Sequence, residues 1–349
     1  MERTLTSRER VLRMLDFKPV DKPALFCEIS AAGYYEHGEK LRDLIRSLNS
    51  DFGPMYEGDF QLPGPEDFDS DGRYHVVKTD AWGVTWEYRI YGVAGHPIAW
   101  PIDDWSKLDG YEFPEQHKWS SEELAEKRGA IDRLRNQGYF INRGWIAYFQ
   151  RAYEVRRYED ALMDIASRDK DFLRYTMHMH EFNRLSVENL LAEGVDAIQF
   201  ADDFGTQDAL IISPQDFREI YKPLYKELVA MVKKAGKRAF FHNCGYAWPL
   251  LEDYMEIGFD QIWPQLNVYD LKTFAKRCRE LHLAVAIHPE RSLLMTFGKP
   301  DEIKKRILEY HEVFRPQDGG SYYFLEIDNG FPYENIVAMV EAVRELRSA

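Results

Sequence analysis

From residue 138 onward, short apolar runs alternate with longer segments whose apolar positions recur every three to four residues. The short runs predict strands at 139–143 (YFINR), 197–202 (AIQFAD), 238–243 (RAFFHN), 261–265 (QIWPQ), 284–288 (AVAIH) and 322–326 (YYFLE). The periodic segments predict helices near 148–166, 170–192, 214–235, 247–257, 269–281, 300–315 and 333–347. The helix at 214 opens on Ser213 as N-cap, Pro214 at the first position and Asp216 at the third. Gly236 and Gly258 fall where helix C-caps belong.

The upstream pattern is more varied. Thr6 and Glu9 form a capping box ahead of Val11, Leu12 and Leu15, predicting a helix over 6–17 that ends before Pro19 and Pro23. The run PALFCEIS reads as a buried strand, and one more strand is expected near 54–60. Residues 74–100 alternate in polarity and are rich in β-formers, which predicts a hairpin insertion. A Pro- and Asp-rich loop fills 101–118, and a second capping box, Ser120 with Glu123, opens another helix.

Strands that alternate with helices imply right-handed βαβ units on a parallel sheet. The count reaches about eight strands, which suits a (β/α)₈ TIM barrel. No G-x-G-x-x-G follows any strand, so an open doubly wound sheet lacks support. The expectation is one domain over 1–349, decorated by an N-terminal helix region (1–20) and the hairpin insertion (74–100).

Composition narrows the function. Hydrophobic residues at 45% and charged residues at 30% exclude wholesale disorder. The formal charge of −14 opposes nucleic-acid binding. No apolar run is long enough to span a bilayer and no signal-peptide core is present, so a cytoplasmic protein without membrane association is expected. Cys27, Cys244 and Cys278 are too few and too scattered for a disulfide framework. Aromatic residues reach 14%, enough to build core and still line a pocket.

In such a barrel, functional residues lie at the C-terminal strand ends. Those ends read Glu28, Arg143, Asp202–Asp203, His242 with Cys244, Gln265, His288 with Glu290, and Glu326. His242-Asn243-Cys244 is the sharpest of them. Two residues apart on a strand end, imidazole and thiol face the same way, and together they are a zinc-type pair; a hydrogen-bonded core histidine beside a small thiol is the bland reading. A third ligand is needed, and Glu326, closing an apolar strand, is nominated, with Asp328, Glu28 and His288 as rivals. Of the adjacent carboxylates Asp202 and Asp203, one faces the cavity and the other caps or salt-bridges; Asp202 is nominated as the catalytic acid. Trp145, Tyr148, Phe204 and Tyr246 are nominated as substrate walls, with core packing as the alternative. Phosphate loops, dinucleotide fingerprints and G-x-S-x-G elbows are absent from the sequence.

Several stretches resemble the uroporphyrinogen decarboxylase superfamily: TSRERVLRMLDFKPVDKPAL, DDFGTQDALIISPQDFREIYKPLYKELV, HNCGYAWPLLEDYMEIGFDQIWP and GFPYENIVAMVEAVREL. The resemblance implies a (β/α)₈ barrel. It also implies one of two chemistries. Decarboxylases of the superfamily carry an Arg-rich N-terminal segment, whereas the matching FCEISAAGYYEHG holds no arginine. Its corrinoid-linked methyltransferases bind zinc through H-x-C, matched by His242 and Cys244. In the members that methylate coenzyme M, the third ligand is a Cys ahead of P-x-E-N. Pro332, Glu334 and Asn335 match that motif here, no Cys precedes them, and Glu326 is the nearest substitute. A Glu-His-Cys zinc is harder than a Cys₂His one and suits an oxygen ligand. The resemblance therefore implies an O-demethylase component: Zn²⁺ held by His242, Cys244 and Glu326, a small-molecule methyl donor of methoxylated aromatic type, and cobalamin carried by a separate corrinoid protein. A second copy of the chain is a further candidate partner. A metal-free decarboxylase using Asp202 and His242, a donor such as methylamine, methanol or methylthiol, and a non-catalytic binding subunit are the alternatives.

Overall fold

A computed structural model describes residues 4–348; residues 1–3 and 349 of the expected domain lie outside the described residues. The strands are β1 (Leu25–Ile29), β2 (Val76–Thr79), β3 (Thr85–Tyr88), β4 (His96–Ala99), β5 (Asn142–Ile146), β6 (Ala197–Ala201), β7 (Arg238–Asn243), β8 (Gln261–Pro264), β9 (Ala284–Ile287) and β10 (Ser321–Ile327). Seven of them, β1 and β5 to β10, alternate with helices in the order of the (β/α)₈ class.

The chain divides into two compact units. One comprises residues 1–62, 128–142 and 259–349. Its strands run β1-β10-β9-β8, all parallel, with Glu28 opposite Glu326 and Ile29 opposite Ile327. β9 is buried at every position, as expected of a parallel strand covered on both faces. Its first helix, Ser7–Leu15, carries the expected capping box: the Glu9 amide donates to Thr6 Oγ1 at 3.2 Å and the Thr6 amide to Glu9 Oε2 at 2.9 Å.

The other unit comprises residues 63–127 and 143–258. β6 pairs in parallel with β7, bringing Ala201 opposite His242. Helices Lys170–Glu193 and Lys222–Lys234 belong to this unit, the first capped by Asp169 and closed by Gly194 in the left-handed region. The expected hairpin is a three-stranded antiparallel sheet, β2-β3-β4.

Two expected strands differ from the sequence reading. The segment near 54–60 forms no strand. Its backbone closes local turns, with the Met55 amide donating to Gly53 and the Glu57 amide to Pro54, both at 3.0 Å, as the Gly-Pro composition favours. The strand read at 139–143 is β5 at 142–146, because the apolar pair Phe140–Ile141 is buried ahead of it. Arg143 therefore stands near the strand's start, not its end. The helix read at 148–166 is broken into Phe149–Val155 and Tyr158–Ser167.

Candidate metal centre

β7 delivers the site. Its side chains alternate, so Asn243 is buried while His242 and Cys244 on either side are half-buried and face together. Asn243 is fixed from within: its Oδ1 accepts from the Phe204 amide and the Tyr254 hydroxyl, both at 3.1 Å. The backbone after β6 is drawn to the same place. The Asp202 amide donates to the His242 carbonyl at 3.1 Å, and the Tyr246 amide donates to the Thr206 carbonyl at 2.7 Å. The loops touch through two glycines. A Cβ on Gly245 would lie 2.1 Å from the Gly205 oxygen, and one on Gly205 would lie 2.5 Å from the Tyr246 nitrogen. Gly245 also adopts φ +75°, in the left-handed region.

This approach sets Asp203 beside the pair. Its Oδ1 accepts from the Cys244 amide at 2.8 Å and lies 3.4 Å from His242 Nε2. Among the described residues, one group of three metal-type side chains has its ligand atoms all within 4.8 Å of one another, and it is Asp203, His242 and Cys244. Imidazole, thiolate and carboxylate are the ligand types zinc takes, so this donor set fits that metal.

Asp202 has a different place. It is 1% exposed. Its carboxylate accepts from the amides of Tyr148 and Phe149, each at 2.9 Å, of Gln150 at 2.6 Å, and from the Tyr225 hydroxyl. It thus fastens the start of helix Phe149–Val155 to the end of β6. Burial pushes its pKa up to about 7, against the pull of those donors. The nominated catalytic acid is therefore a buried capping residue, and its neighbour Asp203 is the carboxylate beside His242 and Cys244.

The nominated walls separate. Trp145 is 47% exposed, and its ring lies 5.6 Å from that of His242. Tyr246 is half-buried on the loop after β7. Tyr148 and Phe204 are core instead. Tyr148 packs edge-on against Tyr225 and its hydroxyl meets His180 Nδ1 at 2.8 Å; Phe204 stacks on Phe149 at 5.3 Å. Neither ring presents a face to a substrate.

The third-ligand candidates gather in the other unit, at the ends of β1, β9 and β10. Glu326 Oε2 lies 3.3 Å from His288 Nε2 and accepts from Arg291 at 3.1 Å; the same guanidinium reaches Asp328 at 3.0 Å. Asp328 also accepts from Ser30 at 3.1 Å. Trp263 stacks on His288 at 5.6 Å. Asp203 is the member of the metal-type cluster that the sequence reading did not select. The signal available for it was the pair of glycines, Gly205 and Gly245, shortly after Asp203 and Cys244.

The uroporphyrinogen decarboxylase (URO-D) family matches over residues 97–346, more than half of the chain. Among solved structures, a methyltransferase from Methanosarcina mazei is similar at 17% identity, covering 98% of this chain and 99% of that one with a TM-score of 0.64. An endo-β-1,4-xylanase from Gloeophyllum trabeum covers 66% of this chain and 82% of its own at 11% identity and a TM-score of 0.42. A dihydropteroate synthase from Anaplasma phagocytophilum covers 49% and 68% at 14% identity and a TM-score of 0.37. A search of the curated proteins returns no match. No helix among the described residues is long and apolar enough to cross a membrane. The length of the family match, on a chain whose strands and helices alternate in the order described, establishes that this protein belongs to the uroporphyrinogen decarboxylase family.

Proposed function

We propose that the protein is a zinc-dependent methyltransferase that takes the methyl group of a methoxylated aromatic compound and passes it to Co(I) of a separate corrinoid protein. The observation that carries this reading is the convergence of Asp203, His242 and Cys244 within 4.8 Å. The description of the Methanosarcina mazei neighbour as a methyltransferase agrees with it.

His242, near the end of β7, and Cys244, one residue beyond it, are the two ligands supplied from one face. Zinc held there would act as a Lewis acid toward the ether oxygen of the donor. Asp203 adds a carboxylate to this pair, and Glu326 is the carboxylate nominated by the sequence; the two are distinguished by substitution. Asp202 holds no proton for the reaction in this reading. It anchors the chain that carries Asp203 and the helix start that follows Trp145. The exposed Trp145 ring offers a flat apolar surface beside His242 for the arene. The attacking nucleophile belongs to the partner, in keeping with the absence of an elbow motif in the sequence.

The test is metal analysis followed by turnover. Purified protein should contain one zinc, and Cys244→Ala should lose it while remaining folded. With reduced corrinoid protein and 2-methoxyphenol, Co(I) absorbance should decay to methyl-Co(III) with release of catechol. Asp203→Asn and Glu326→Gln should each lower zinc affinity if the residue is a ligand; full zinc and full turnover in either variant removes that residue from the set. Zinc-free protein that takes up none, or zinc protein that demethylates none of the aryl ethers, methanol, methylamine and methylthiol, overturns the reading.

A further inference from the structure

Trp145 is a large aromatic residue left 47% exposed directly beside a candidate metal ligand, its ring 37° from the plane of His242. Its indole N–H donates to Gln150 Oε1 at 3.3 Å. Gln150 is itself held at two points. Its backbone amide donates to Asp202 Oδ1 at 2.6 Å, and its side-chain Nε2 donates to Glu154 Oε1 at 3.0 Å. Glu154 is 8% exposed, and its other oxygen lies 2.5 Å from the Arg151 guanidinium, which in turn sits 4.4 Å over the Trp82 ring.

The chemistry of this series leaves the carboxamide one orientation. An indole N–H can only donate and an ionised carboxylate can only accept. The amide between them must therefore turn its oxygen to Trp145 and its nitrogen to Glu154. Burial pushes the Glu154 carboxyl up, and the half-buried Arg151 guanidinium beside it works against that push and holds the group in place. The Gln150–Glu154 pair, four residues apart, also supports the helix Phe149–Val155, but the bond from Trp145 reaches outside it. Its effect is to fix the plane of one exposed ring.

We propose that Gln150 is a positioning residue whose amide, oriented by Glu154, holds Trp145 as the aromatic wall beside His242 and so selects planar aromatic methyl donors over small aliphatic ones. The selection rests on the function proposed above; the orientation of the ring does not. An arene stacking on an indole gains only if the indole plane is held, because a freely rotating ring must first be ordered.

The experiment uses zinc-loaded protein labelled with 5-fluorotryptophan. Eight tryptophans give a resolvable fluorine spectrum, and Trp145→Phe assigns the resonance of interest. In Gln150→Leu, and more mildly in the isosteric Glu154→Gln, that resonance should shift and broaden while zinc content stays constant. 2-Methoxyphenol binding, measured by calorimetry, should weaken about fivefold in Gln150→Leu, the effect of losing one ordinary hydrogen bond, and methanol turnover, if present, should not change. An unaltered Trp145 resonance in both variants overturns the proposal. A changed resonance with unchanged 2-methoxyphenol affinity overturns the selection. Wild-type protein that binds no 2-methoxyphenol refutes the aromatic donor itself and leaves the ring-orientation result to stand on the fluorine spectrum.

Discussion

Two glycines decide where Asp203 and Cys244 meet. The backbones at Gly205 and Gly245 approach so closely that no side chain fits between them, and Gly245 adopts a left-handed conformation besides. Gly245→Ala should therefore force the loops apart. The expected cost is about 1–3 kcal/mol from backbone strain alone, read by urea unfolding, together with a loss of zinc affinity that exceeds it. Stability lost with zinc retained would mean that the loops can separate without moving Cys244. The neighbouring carboxylates Asp202 and Asp203 are separated by the same loop packing. One carboxylate is filled by three amides and a hydroxyl, and the other is left beside His242. Sequence alone showed that adjacent carboxylates must divide these roles. Which took which depends on where helix Phe149–Val155 starts, a fact of packing.

At the level of elements, the capping boxes are the local signals that carry through to the backbone, whereas the helix Ala31–His37, capped by Ser30, has no counterpart in the sequence reading. Both capping boxes form as expected: the Ser120 amide donates to Glu123 at 2.8 Å and the Glu123 amide to Ser120 at 3.2 Å, as the Thr6–Glu9 pair does. Thr6→Ala should cost about 1 kcal/mol, the usual loss for an N-cap hydroxyl, and should show as a lowered urea midpoint with an unchanged slope. Elements defined by apolar runs alone were less secure. Phe140 and Ile141 supplied the run read as a strand, yet they are buried ahead of β5, because burial and strand pairing are separate demands. Near 54–60 the same ambiguity predicts a strand where Gly53 and Pro54 close turns. Aromatic residues carried a similar ambiguity. Trp145 and Tyr148 are three residues apart, and one is exposed while the other is core, since Tyr148 has His180 to satisfy its hydroxyl.

At the scale of the whole chain, residues far apart in sequence share one buried ionic knot within the first unit. Asp51, fully buried, receives Arg10 at 2.5 Å, Arg347 at 3.1 Å and the Leu25 amide at 2.9 Å. It therefore joins the first helix, β1 and the last helix. Asp51→Asn leaves two guanidinium groups facing a neutral amide, and an expected loss of about 3–5 kcal/mol follows from the uncompensated buried charge. Equilibrium unfolding checks this; a loss below 1 kcal/mol would mean that the arginines find other partners. Asp21 completes the knot on Arg10 at 2.7 Å. Desolvation works against its charge, but the Arg10 hydrogen bond and positive charge prevail and hold its carboxyl below the ordinary 3.8. Its contribution is thus present above the unfolded value and is lost as pH falls through the lower folded value. Asp21→Asn should destabilise the protein at pH 6 and matter progressively less as the pH is taken below the ordinary carboxylate value of 3.8, measured as the difference in unfolding free energy from wild type.

The amino-acid pattern alone carries the α/β alternation, the two capping-box helix starts, the family and the His242–Cys244 pair. Each is written in local periodicity, in caps or in a contiguous motif, and period-two alternation alone turns two side chains to one face. Tertiary structure decided what no local rule carries. It set Asp203, not Asp202, beside that pair, buried Tyr148 and Phe204 in the core, and gathered Glu326 and Asp328 on Arg291 with His288 on Glu326. Those outcomes depend on which loops approach and which buried groups find partners. The physical reason is that a polar group buried on folding must be satisfied by whatever the fold brings to it, and its partners come from residues distant in the chain.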